Sequence, residues 1–219
     1  MNKILFAFDL DDTLYKENEY VDSGRRAVAA AAALQCGSDG DSLMRLMADS
    51  PDPLGAVEKA TGGCLSVEEM VEIYRYHQPR LMMDENTEQV LKELKERGYD
   101  LAVITDGSSR RQRLKMDALG LADYIPRENW IISEETGADK NSSLPFERTE
   151  KMFPGHRRVY VGDNPEKDFR YPNLRGWHTA MLADLKGENV HPQTIANLRG
   201  EFKPQTVLTD ISQLLKYKF

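Results

Sequence analysis

The sequence predicts an α/β fold, a doubly wound parallel sheet carrying an inserted helical module. Three observations predict it. Short runs that are apolar on both faces recur along the chain, as expected of parallel strands covered by helices on each side. After residue 85 these runs alternate with helix-period segments. Between the first run and that alternation lies a long stretch with helix signatures and no convincing strand.

The first run, residues 3–8 (KILFAF), ends abruptly in Asp9-Leu10-Asp11-Asp12, a length that suits a buried strand better than a helix. In the next stretch Ser23 or Asp22 is expected to cap an Ala-rich helix that Gly37 ends, Asp41 opens a second helical segment, and Asp52-Pro53 a third. Ser66-Val67-Glu68-Glu69 spells a capping box, followed by Val67, Met70, Val71 and Tyr74 at i, i+3, i+4 and i+7. Asn86 is expected to cap the following helix, with Gln89 as its capping-box partner, Val90, Leu91 and Leu94 as its apolar face and Gly98 as its stop. A strand is expected at 101–104, a helix over 109–119 stopped by Gly120, and further strands at 130–132, 159–161, 179–182 and 206–208. The expected organisation is therefore an α/β core from residues 1–15 and 84–219, with residues 16–83 inserted.

Composition narrows the function classes. The 219 residues carry 29 Lys and Arg against 36 Asp and Glu, a net charge of −7. Non-specific nucleic-acid binding needs many cationic phosphate contacts, and no long basic block supplies them, so no nucleic-acid partner is expected. The longest apolar run, residues 27–34, falls far short of the roughly 20 residues of a membrane span. The opening MNKILFAFDLDD is too short in its apolar part for a secretory signal and ends in acids. Cys36 and Cys64 form no CxxC pair and are not expected to build a disulfide framework. A cytoplasmic enzyme or binding protein without a membrane partner is the expected class.

The chemistry lies in a joint pattern. Asp9 and Asp11 follow the first strand, Thr105 ends the second, Lys140 follows the third, and Gly162-Asp163 ends the fourth, with Asp168 five residues on. In a parallel sheet all these positions fall at the carboxyl edge, where α/β folds build their sites. Carboxylates at Asp9, Asp11 and Asp163 would repel one another unless a hard cation such as Mg²⁺ sat among them. A nearby Lys and Thr imply that the group held there is itself an anion. An Asp carboxylate can attack phosphorus, and a neighbouring acid can protonate the leaving oxygen and later activate water.

The segments FAFDLDDTLY, VITDGS, the lone Lys140 and VGDNPEKD resemble the four motifs of the haloacid dehalogenase superfamily. The resemblance covers the α/β part, and it implies a Rossmann-like core with the insertion after Tyr15 acting as an α-helical cap that closes over the site and selects substrate. It implies Asp9 as nucleophile and Asp11 as general acid/base. Thr105, with the backbone amides of Asp106 and Gly107, would bind the phosphoryl group, and Lys140 would orient Asp9. Mg²⁺ would be held by the Asp9 side chain, the Asp11 carbonyl and Asp163, supported by Asp168. An acid at Asp11 favours phosphoryl transfer over carbon–halogen cleavage within the family. One departure stands out: the third motif often reads Lys-Pro, whereas Lys140 is followed by Asn141; Lys151 is the distant alternative.

The expected function is a Mg²⁺-dependent phosphomonoester hydrolase acting through an aspartyl-phosphate on a small phosphorylated metabolite, a sugar phosphate or a nucleoside monophosphate. The nearest rival is a phosphomutase or phosphotransferase of the same superfamily. A non-catalytic binding protein on this fold would be expected to show a damaged motif. A signalling receiver domain would be far shorter and would carry its acceptor Asp after the third strand, where Ile132-Ser133-Glu134 stands instead. Arg110, Arg111 and Arg113 read first as a solvated helix face, with contact to the distal part of an anionic substrate as the alternative. Lys16, Glu17 and Asn18 sit at the expected cap hinge, with a substrate role as the alternative, and Arg25 and Arg26 lie beyond it, with a reach into the cleft as theirs. The four histidines show no metal-ligand spacing, Trp130 and Trp177 read as core, and the methionines of the insertion as its packing.

Overall fold

The computed structural model describes residues 3–193 and 198–217. Along the chain come β1 (Ile4–Phe8), α1 (Glu17–Cys36), α2 (Gly40–Asp49), α3 (Pro53–Ala60) and α4 (Val67–Tyr76). Then follow α5 (Glu85–Glu96), β2 (Asp100–Thr105), α6 (Ser109–Ala118), β3 (Trp130–Ile132), α7 (Ser133–Thr136) and α8 (Leu144–Met152). Next come β4 (Arg157–Gly162), α9 (Arg170–Leu174), β5 (His178–Leu182) and β6 (Thr206–Leu208), with short 3₁₀ turns between elements and a 3₁₀ helix, Ile211–Lys216, after β6. Two compact units result: Met1–Asn18 with Met82–Phe219, and Glu19–Leu81.

The first unit is a Rossmann-like sheet of order β3-β2-β1-β4-β5-β6, every pair parallel. Side chains alternate across a strand, and here both alternating sets are buried. Leu5, Ala7, Ala102, Ile104, Tyr160 and Met181 pack with Phe146 of α8, Phe169 and Trp177 on one face. Phe6, Phe8, Val103, Val159 and Val161, of opposite parity, are buried as well. Strands apolar on both faces are therefore what the sheet uses. The strand order reverses between β1 and β4, and the crevice outside their carboxyl ends is where such sheets hold ligands.

The second unit is helical. Val28, Ala29 and Ala32 of α1 pack with Leu43 and Met47 of α2, Val57 of α3, Leu65, and Met70 of α4. Asp52 caps α3 through the Gly55 amide, with Pro53 in the first turn, and Ser66 and Glu69 form the expected capping box on α4. No helix among the described residues is long and apolar enough to cross a membrane.

Four expectations need correction. The Ala-rich helix starts at Glu17, not near Ser23: the Asp12 carboxylate accepts the Glu17 amide (3.0 Å), and Ser23 lies within the helix, with its Oγ 2.9 Å from His77 Nε2. Asp39, not Asp41, caps α2, accepting the Asp41 and Ser42 amides. Asp84, not Asn86, caps α5, accepting both the Thr87 amide (2.9 Å) and its hydroxyl (2.7 Å). Asn86 instead donates to the Asp210 carboxylate and Gln89 is exposed. Lastly, Cys36 and Cys64 are joined in a disulfide, with Cα atoms 5.9 Å apart. Helix packing in the insertion brings the end of α1 to the turn before α4, a proximity invisible in their 28-residue spacing. Cysteine usage therefore no longer argues for a reducing compartment.

Candidate active site

Asp9 leaves β1 at its carboxyl end, its amide still donating to Val161 O of β4 (2.8 Å). The chain then turns sharply. Asp12 adopts φ 55°, and its carboxylate receives the amides of Glu17 (3.0 Å) and Val190 (2.8 Å), which pins the turn from two sides. Asp163 leaves β4 beside Asp9. Asp168 folds back under it, both of its oxygens occupied. Oδ1 accepts from Lys140 Nζ (2.6 Å) and Tyr160 OH (3.2 Å), and Oδ2 from the amides of Asp163 (3.1 Å) and Asn164 (2.8 Å). Gly162 is required for this: a Cβ there would lie 2.4 Å from Asp168 Oδ2.

Lys140 Nζ also donates to Asp9 Oδ1 (2.6 Å), so one buried ammonium bridges two buried carboxylates. Burial opposes its charge, yet Asp168 and Asp9 together hold its pKa well above the ordinary value. At the position where the motif often has proline, the Asn141 amide donates to Asp139 Oδ1 (3.1 Å), a bond that proline could not make. The Lys140 amide donates to Asp106 Oδ1 (3.0 Å), tying its backbone to the loop after β2. Lys151 lies on the exposed side of α8.

Asp9, Asp163 and Asp168 bring ligand oxygens within 4.8 Å of one another. Burial, with Asp168 and Asp11 adding repulsion against the opposing pull of Lys140, pushes the Asp9 carboxyl up to about 8. Burial, then the charges of Asp168 and Asp9, pushes Asp163 up to about 9. Carboxylates crowded like this form a donor set for a divalent cation. A carboxylate offers about four lone-pair sites, and four donors already fill those of Asp168. Asp9 and Asp163 are therefore the side chains with oxygens to give, and Asp168 supports them.

Thr105 ends β2, buried, and Gly107 follows with φ 141°, a conformation glycine adopts readily. The Gly107 amide donates to Ser133 Oγ (2.9 Å), which commits it to α7 in this arrangement. Asp11 is engaged more heavily than the sequence suggested. Lys115 Nζ (2.6 Å) and Tyr15 OH both donate to Oδ1, and Gln112 Nε2 donates to Oδ2 (3.1 Å) and to Thr105 Oγ1 (2.7 Å). Burial works against the Asp11 charge, but Lys115 and these hydrogen bonds prevail and hold its pKa below the ordinary value.

A cavity of about 260 Å³ opens over these groups; Glu17, Arg111, Lys167 and His191 line it too. The sequence leaves Arg111 and Glu17 open, and its motifs do not mark Gln112, Lys115 or Asn189, which donates to Asp163 Oδ2 (2.8 Å). A signal for two of these was present. Gln112, Lys115 and Met116 of α6 and Leu119 at its C-terminal cap stand at i, i+3, i+4 and i+7, so two polar residues occupy its buried stripe. Arg113 by contrast is bound to Glu135 (2.8 and 2.9 Å).

The model of the haloacid dehalogenase-like hydrolases matches residues 5–170. The chain belongs to this family. It is similar to a glyceraldehyde 3-phosphate phosphatase of Methanocaldococcus jannaschii, 30% identical over 197 residues, covering 83% of this chain and 84% of that one. It is also similar to a ribulose-1,5-bisphosphate 5-phosphatase of Halopiger xanaduensis, 34% identical over 101 residues, covering 44% and 41%. Its fold matches a haloacid dehalogenase-like phosphatase from Thermococcus onnurineus with TM-score 0.60 and 22% identity, covering 98% and 96%. Membership makes this chain a hydrolase with the family's α/β core and helical cap domain.

Proposed function

We propose that this chain is a Mg²⁺-dependent phosphomonoester hydrolase acting on a small phosphorylated metabolite through an aspartyl-phosphate on Asp9. One observation carries the reading: Lys140 bridges Asp9 and Asp168 beside Asp163, with Thr105 and Asp11 on the same sheet edge. The names of both relatives support a phosphorylated sugar as substrate class ahead of a nucleoside monophosphate.

Asp9 attacks phosphorus through the oxygen that Lys140 leaves free, and the ester P–O bond breaks. The leaving oxygen takes a proton that Asp11, ionised in the resting site, first accepts from the monoprotonated phosphate ester. Water then attacks the phosphoryl-aspartate, Asp11 accepts its proton, and Asp9 is released with inorganic phosphate. Lys140 steadies Asp9 and offsets the negative charge that the phosphoryl group brings, and the Thr105 hydroxyl donates to a phosphoryl oxygen. The carboxylates of Asp9 and Asp163, with the Asp11 backbone carbonyl, would hold Mg²⁺, which when bound supplies charge neutralisation of the phosphoryl oxygens.

The test is phosphate release from a panel of sugar phosphates and nucleoside monophosphates, with Mg²⁺ and with excess chelator. The reading predicts release that chelator abolishes and that is fastest on a sugar phosphate. Conversion of the sugar phosphate to an isomer without phosphate release would replace the hydrolase by a mutase.

A further inference from the structure

Gln112 and Lys115 lie on α6, outside the segments that resemble the family's motifs, yet both are buried at the site. Their bonds sort the two oxygens of Asp11. Oδ1 is occupied by two strong donors, Lys115 Nζ at 2.6 Å and Tyr15 OH. Among the described residues, Oδ2 receives only Gln112 Nε2, at 3.1 Å. A proton moving to or from Asp11 therefore has one oxygen open to it, Oδ2.

Gln112 has two N–H groups on Nε2, and it uses both. The second goes to Thr105 Oγ1 at 2.7 Å. A hydroxyl has one hydrogen and two lone pairs. With a lone pair occupied by Gln112, the Thr105 hydroxyl keeps its own hydrogen for an outside acceptor. One buried amide thus sets the direction of two functional groups, a hydroxyl aimed as donor and a carboxylate oxygen aimed for proton exchange.

We propose that Gln112 is a positioning residue that fixes Asp11 Oδ2 relative to Thr105 Oγ1, so that proton delivery to the leaving oxygen is in register with the phosphoryl group, while Lys115 clamps Oδ1. This rests on the phosphatase reading above. The step it serves is balanced: the ester O–P bond breaks, the leaving oxygen keeps the electron pair, and the proton of Asp11 Oδ2 goes to that oxygen.

Leaving-group dependence isolates this role. A stable phenolate leaves without a proton, whereas a basic one needs it. Substituted phenyl phosphates of similar shape but graded leaving-group basicity, with Mg²⁺ present, supply the probe. Gln112→Met keeps the length of the side chain and removes both donors; Gln112→Glu keeps its shape and replaces the donor by an acceptor. For the wild type, kcat/KM should vary weakly along the series. For both variants it should fall steeply with leaving-group basicity, so that the loss on phenyl phosphate exceeds that on p-nitrophenyl phosphate by at least about tenfold. Lys115→Met should show the same tilt and Lys115→Arg should restore most of it. Equal losses along the series, which a merely structural role would give, or no loss at all, overturn the positioning. A wild type that hydrolyses no member of the series overturns the phosphatase reading itself, and the positioning with it.

Discussion

At the residue scale, the site sets charges against burial, and Glu17 shows it most plainly. Burial, then the charge of Asp11, raises its carboxyl to about 7; Lys115 and Arg111 oppose this and Asp12 adds to it. In the unfolded chain the same group titrates near 4.5. The native state thus holds the proton more tightly than the unfolded state. The stabilisation this gives is complete below 4.5 and is lost as pH rises through about 7. Glu17→Gln removes the penalty of the charged form, so its gain in melting temperature over the wild type should be larger at about pH 8 than at about pH 5. Equal gains at both pH values would contradict the burial of this carboxylate. The aspartates, Thr105 and Lys140 were legible from sequence because their spacing after strands defines one sheet edge. Gln112 and Lys115 were not read, because a polar residue on a helix looks solvated until its neighbours on the stripe are considered.

At the scale of elements, the strands were the most legible part, since residues apolar on both faces have few other places to go. Helix starts were less so. Asp84 and Asp39 each lie two residues before the expected cap, and several polar residues in a row compete for one set of orphan amides. Asp12 shows the same effect at longer reach, since its carboxylate belongs both to the turn after β1 and to the start of α1. The disulfide lay beyond sequence reading because it depends on how α1, α2 and α3 pack. It closes a loop across a separation of 28 residues, which in the chain-entropy account stabilises by about 3–4 kcal/mol. Replacing both Cys36 and Cys64 by Ser should lower the stability of the helical unit by about that amount in urea denaturation followed by a probe in that unit. An unchanged midpoint would show that the disulfide constrains nothing that packing does not already hold.

At the scale of the whole molecule, the net charge of −7 argues against polyanions and says little about a small anion. Asp9, Asp163 and Asp168 add to the acidic excess, yet their crowding invites a divalent cation. Such an ion, with Lys140, would reverse the local field. The strand order makes this geometry available: the reversal between β1 and β4 places Asp9 and Asp163 side by side although 154 positions apart in sequence (163 − 9). The central claim is that Asp9 is the nucleophile. It is tested most directly by measuring phosphate release from an aryl phosphate with Mg²⁺ for the wild type and for Asp9→Asn, folding of both being checked by circular dichroism. The expected result is a folded variant whose turnover falls by at least about 10³-fold. A folded Asp9→Asn that keeps wild-type turnover would contradict it.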